Sequence, residues 1–194
     1  MGLAIMILGL AVFIGGHVLT TLREPRAAVI ARIGEGPYKG AYSMLALIGL
    51  ALIGYGFAIY RAGGYIDIWT PPPWTRRVTD ALVWPAIVCI VAAYIPGEIR
   101  RVLKHPMLVG LKLWAVAHLI ANGDLGSIIL FTAILAWAVY DRITLKHRTD
   151  AGAPPIPSGG FRNDFFAVVA GTLLYFALGL WFHPYVIGVP VFGS

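Results

Sequence analysis

Five histidines stand in this 194-residue sequence, and two of them, His17 and His118, fall inside long apolar runs. A polar side chain at membrane depth is costly, so those found there tend to serve a function. A buried imidazole also needs a partner for its ring nitrogens. Two neutral imidazoles from separate helices are a suitable axial pair for a haem iron, and an apolar bundle shields the macrocycle from water. Trp114 at i−4 and Asn122 at i+4 share the face of His118. The indole can pack on a ring, and the amide can orient the imidazole or meet a propionate. Phe13 and Thr21 take the matching positions around His17, and Gly16 leaves space beside it. A satisfied core polar group is the alternative for either histidine.

The other three histidines carry weaker signals. His105 precedes Pro106 at the mouth of the same apolar run as His118, where it is either a site residue or the residue before a helix-starting proline. It lies 13 residues before His118, about 220° around a helix at 3.6 residues per turn, so at most one of the two faces a given pocket. His147 reads as a residue of a basic loop, and His183 as the end of the last apolar run. The single cysteine, Cys89, excludes a disulfide framework and a thiolate zinc site built on this chain alone. No Cys-x-x-Cys-His is present, which excludes covalent haem attachment.

The elements that must position these groups follow from composition. Hydrophobic residues make up 59% of the chain and charged residues 12%, with a mean hydropathy of +0.79. A soluble domain carries about 25% charged residues, so a cytosolic enzyme and a disordered chain are both excluded. The fold class is therefore all-α, a polytopic membrane helical bundle. A crossing needs about 20 apolar residues, and runs at 2–22, 40–60, 78–95, 106–121, 125–140 and 165–182 give about six transmembrane helices in a single domain, 1–194. Asn122-Gly123-Asp124 predicts a tight turn between the fourth and fifth runs, with Asp124 capping the next helix and Ser127 in its first turn. The first run has no basic residues before it and is too long for a cleavable signal.

Orientation follows from Lys and Arg placement. Arg23, Arg26, Arg32, Lys39, Arg100, Arg101, Lys104, Arg142, Lys146, Arg148 and Arg162 put 11 of the 15 basic residues on one side. That side is cytoplasmic, and both termini are outside. The net charge of +6 reflects this bias and contact with anionic membrane lipids; nothing suggests nucleic acid. Residues 24–38 predict a short helix lying on the membrane surface, the Pro71-Pro72-Pro73 loop a stiff outer connection, and residues 153–160 a linker. Gly9 and Gly16 on the first helix, with Gly49, Gly54 and Gly56 on the second, mark places where helices can approach closely.

Three stretches resemble the NnrU family of bacterial integral membrane proteins. They are Gly16-His17-Val18-Leu19-Thr20-Thr21-Leu22-Arg23, Tyr42-Ser43-Met44-Leu45-Ala46-Leu47-Ile48-Gly49-Leu50, and Lys104-His105-Pro106-Met107-Leu108-Val109-Gly110 continuing through Leu113-Trp114-Ala115-Val116-Ala117-His118-Leu119-Ile120-Ala121-Asn122-Gly123-Asp124-Leu125. The family is associated with denitrification and nitric oxide metabolism in the bacterial cytoplasmic (inner) membrane, and is similar to the plant 15-cis-zeta-carotene isomerases. The resemblance implies haem b as cofactor, His17 and His118 as the metal ligands, and either haem-dependent cis–trans isomerisation of a hydrophobic polyene or a nitric oxide role. Tyr60 lies roughly where the plant enzymes have an alternative histidine.

Two other function classes stay open. His105-Pro106-Met107 with Gly110 is similar to a segment of the isoprenylcysteine methyltransferases that binds S-adenosylmethionine, but Tyr140-Asp141-Arg142 stands where those enzymes carry a Glu-Glu pair. A non-enzymatic haem sensor or accessory protein would share the haem site and lack turnover.

Overall fold

A computed structural model describes residues 1–147 and 159–192. Arg148 and most of the expected 153–160 linker lie outside the described residues. Among those described, the chain is helical, with one isolated antiparallel bridge between Asp67 and Asp124. Four helices are long and apolar enough to cross a membrane: α1 (Gly2–Thr21), α3 (Glu35–Ala62), α7 (Leu125–Lys146), and α8 (Gly160–Ala177) with its π-helical continuation Leu178–Ile187. They leave large apolar side chains exposed, Leu47 by 67% and Leu173 by 66%. Such faces suit hydrocarbon and not water. This is a membrane protein built as a helical bundle.

Two of the expected crossings differ from these four. Helix α4 (Thr75–Ala92) has the length, but Arg76, Arg77 and Asp80 occupy its first two turns. Helix α6 (Pro106–Ala121) has 16 residues, about 24 Å at 1.5 Å per residue against a hydrocarbon layer of about 30 Å. The expected surface helix is α2 (Arg23–Ile33), shorter than residues 24–38. Gly34 ends it with φ +87°, a conformation open to glycine, and Glu35 to Tyr38 form the first turn of α3 instead. The short helix α5 (Glu98–Leu103) starts where the Asp164 carboxylate accepts the Glu98 and Ile99 N–H groups, each at 3.0 Å.

The chain divides into two compact units. The first, Met1–Ile68 with Asp124–Thr144, holds α1, α2, α3 and nearly all of α7. Its main seam is α1 on α3, and the glycines explain the approach. A Cβ on Gly9 would lie 2.6 Å from Ile53 N, and one on Gly49 would lie 2.8 Å from Phe13 N. Gly2 and Gly56 face the opposite backbone in the same way, whereas Gly54 meets nothing within 4 Å and Gly16 only Leu45 Cδ2 at 3.3 Å. Close contact through small residues replaces the hydrophobic driving force that lipid removes.

Tyr60 pins the end of the same unit. It is 7% exposed, its Oη accepts the N–H groups of Ile66 at 3.0 Å and Gly126 at 3.2 Å, and its ring fills the space a Gly126 side chain would take. The expected cap on α7 is present: Asp124 Oδ1 accepts the Ser127 N–H at 2.9 Å, and Arg61 stands 3.8 Å from the other carboxylate oxygen.

In the second unit, Trp69–Gly123 with Leu145–Ser194, α4 is the central helix, packed against both α6 and α8. Gly110 lets α6 approach the Ala86 carbonyl, and Gly171 lets α8 approach Val88. Thr79 Oγ1 donates to the Ala117 carbonyl at 2.9 Å, and the Trp84 indole N–H donates to Thr172 Oγ1 at 3.0 Å. Polar atoms in an apolar bundle are thus spent on neighbouring helices.

Candidate functional site

Each of the two buried-run histidines has a defined setting in its own unit. His17, in the fifth turn of α1, is half-buried among aromatic rings. Ring centroids lie at 4.3 Å for Phe13, 5.0 Å for Trp137 and 5.4 Å for Tyr42. Its Nδ1 sits 2.7 Å from the Phe13 carbonyl oxygen. A carbonyl only accepts, so Nδ1 carries the hydrogen and Nε2 carries the lone pair. Thr21, expected beside the ring, turns its hydroxyl to the Val18 carbonyl at 2.7 Å.

His118, in the last turn of α6, repeats the arrangement. Its Nδ1 lies 2.8 Å from the Trp114 carbonyl, which again fixes the hydrogen on Nδ1 and the lone pair on Nε2. The Trp114 ring packs on the imidazole with centroids 4.8 Å apart. Asn122 behaves differently from the expectation of an amide on the imidazole. Its Nδ2 and its backbone N–H both donate to the His118 carbonyl, at 2.8 and 3.0 Å, so it closes the helix under the histidine.

His105 is the N-cap residue of α6, with Pro106 as first helical residue. Its carbonyl accepts the Leu108 and Val109 N–H groups at 3.1 and 3.2 Å. Lys104, with φ +62°, makes the sharp entry into this cap. His147 is an exposed residue just beyond α7.

The second unit also brings together a pair that spacing did not indicate. The His183 ring lies 6.2 Å from that of His118, centroid to centroid. His183 does not end its helix, because the chain continues in wide π turns through Pro184 to Ile187. Reading the run at 3.6 residues per turn misplaces every group beyond Ala177. The π-bulge preference for functional sites is the signal that points here, but it is visible only once the backbone is known. Likewise, Tyr42 and Trp137 lie 25 and 120 residues from His17, so local spacing gave no reason to join them to it.

Among the described residues, no group of three or more His, Cys, Asp or Glu side chains is placed to hold a bare metal ion. Each unit instead presents one imidazole in aromatic surroundings, His17 in the first and His118 in the second.

Comparison with known proteins agrees with the resemblance of the motifs. No curated protein and no solved structure matches the chain. The profile of the NnrU protein family matches residues 5–191, covering the His17 helix, the His105-Pro106 start of α6 and His118, and the chain belongs to that family.

Proposed function

We propose that this NnrU-family membrane protein binds haem b non-covalently, with His17 and His118 as the iron ligands that the resemblance implies. The observation that supports it best is the shared state of the two imidazoles. Each gives its Nδ1 hydrogen to a carbonyl one turn back and keeps the lone pair on Nε2, the nitrogen that faces away from its own helix backbone. A ligating histidine is normally oriented in this way by the bond its other nitrogen makes. Trp114 packs at a tilt on one imidazole and Phe13, Tyr42 and Trp137 lie around the other, so aromatic side chains and little water would meet the macrocycle.

Haem in such a site supplies redox chemistry and a Lewis-acidic iron. The chain's own residues would bind and orient it and exclude water. The reading extends to a redox-linked cis–trans isomerase-like activity on a hydrophobic polyene or a part in nitric oxide metabolism, in the bacterial cytoplasmic membrane. It takes α4 and α6 as the remaining two of six crossings, with both termini outside.

The test is a spectrum. Protein purified from haem-replete cells should be red, with a Soret band and the pyridine spectrum of non-covalent haem b. His17→Ala and His118→Ala should each change that spectrum, while His147→Ala leaves it unchanged. A colourless wild type that transfers methyl groups from labelled S-adenosylmethionine would replace the proposal with the methyltransferase reading. An unchanged spectrum in both ligand variants would refute the site.

A further inference from the structure

His183 reaches His118 on backbone that an ordinary helix does not have. After Ala177 the chain takes wide π turns from Leu178 to Ile187, with Pro184 inside them. Such turns are rare and collect at functional sites. They end at Gly188, with φ +78°, and the Val189 N–H donates to the His183 carbonyl at 3.1 Å. Opposite, Thr79 ties α4 to the carbonyl of Ala117, the residue before His118. The two histidines thus meet inside one compact unit.

Their separation has a chemical meaning. A metal–imidazole bond is about 2 Å long and the ring centre lies roughly 1 Å beyond the nitrogen, so two imidazoles on opposite sides of one iron have centroids about 6 Å apart. The His118 and His183 centroids are 6.2 Å apart, whereas the Trp114 ring, which packs directly on His118, is at 4.8 Å. Neither histidine is sealed in, as both keep part of their surface accessible. The Nδ1 of His118 is taken by the Trp114 carbonyl and that of His183 is buried, which leaves Nε2 on each ring for a ligand. Two imidazoles are an incomplete set for a bare ion, and no third side chain completes it among the described residues. A haem iron needs only two ligands from the protein.

The two imidazoles are not equal. The bond from His118 Nδ1 to a carbonyl strengthens its Nε2 as a ligand, and His17 has the same support from Phe13. The His183 Nδ1 has no hydrogen-bond partner among the described residues, which makes His183 the weaker ligand. We propose that His183 is a ligand of the haem iron, standing opposite His118 in competition with His17. This rests on the haem reading above and changes only which imidazole faces His118.

The test uses the full chain purified in detergent with haem b bound. Electron paramagnetic resonance reads the ferric low-spin signal of iron held by two imidazoles. His183→Ala should lose that signal to a high-spin one, free imidazole should restore it, and His147→Ala should leave it alone. In parallel, the wild type with and without haem is treated with diethyl pyrocarbonate, and modification of His183 is read by mass spectrometry. Haem should lower that modification several-fold. A high-spin wild type, a low-spin signal that survives His183→Ala, or a loss that free imidazole does not repair overturns the proposal. Equal modification of His183 with and without haem overturns it too, and decides alone should His183→Ala not fold. After any of these results, a spectrum altered by His17→Ala and by His118→Ala leaves the haem reading standing. A chain that takes up no haem, even when haemin is added, overturns both.

Discussion

Gly49 offers a direct test of how the first unit sets the His17 site. Its missing side chain is what lets α3 touch the backbone of Phe13. A Cβ there would lie 2.8 Å from Phe13 N, 2.9 Å from Phe13 Cβ and 3.0 Å from Phe13 Cα. Ordinary contact begins at 3.4 Å, so Gly49→Ala forces α1 and α3 apart by roughly half an ångström, and backbone cannot rotate away as a side-chain tip can. Overpacking of this kind costs about 1–3 kcal/mol. Gly54→Ala is the control on the same helix, since a Cβ there meets nothing within 4 Å. Both variants gain the same helix propensity, about 1 kcal/mol, so the difference between them isolates the collision.

At about 2–4 °C per kcal/mol for a chain of this size, Gly49→Ala should melt about 2–12 °C below Gly54→Ala in the same detergent. Because the Phe13 carbonyl accepts from His17 Nδ1 at 2.7 Å, the collision should also disturb the spectrum of the haem proposed for this site, which Gly54→Ala leaves alone. Equal melting temperatures for the two variants would refute the claim that backbone contact joins α1 to α3.

Two further predictions concern the end of the first unit away from His17. Tyr60→Phe removes the acceptor of the Ile66 and Gly126 N–H groups and should destabilise by about 1–3 kcal/mol through the buried Gly126 donor, with less from Ile66, read as a lowered melting temperature with the helix content retained. At Asp124, stability should fall in the order Asp, Asn, Ala. Asn keeps an oxygen for the Ser127 N–H, whereas Ala loses the cap, at about 0.5–2 kcal/mol. The step from Asp to Asn should be smaller, because Arg61 is 3.8 Å away and 29% exposed, a pairing worth about 0–1 kcal/mol.

Much of the molecule is legible in the residues alone, wherever the signal is local. The membrane class follows from 12% charged residues. The bounds of α6 and the Asp124 cap follow from residue types read along one helix, whereas glycine content marks Gly54 as readily as Gly9, Gly49 and Gly56 although a Cβ on Gly54 meets nothing within 4 Å. Local reading also placed Trp114 one turn from His118. It went astray where a single backbone torsion decided the outcome. Gly34 splits the polar segment from α3, and π turns carry the last helix past His183.

The sequence by itself determined that this chain is a helical membrane protein with imidazoles in its apolar runs, because hydropathy and i±4 spacing are properties of neighbouring residues. The tertiary structure alone decided who stands around them: Tyr42 and Trp137 beside His17, His183 beside His118, and Tyr60 as a structural pin. Those partners lie on different helices, and which faces meet depends on packing between backbones. A one-dimensional pattern does not encode that packing once lipid, being as apolar as the side chains, no longer tells inside from outside.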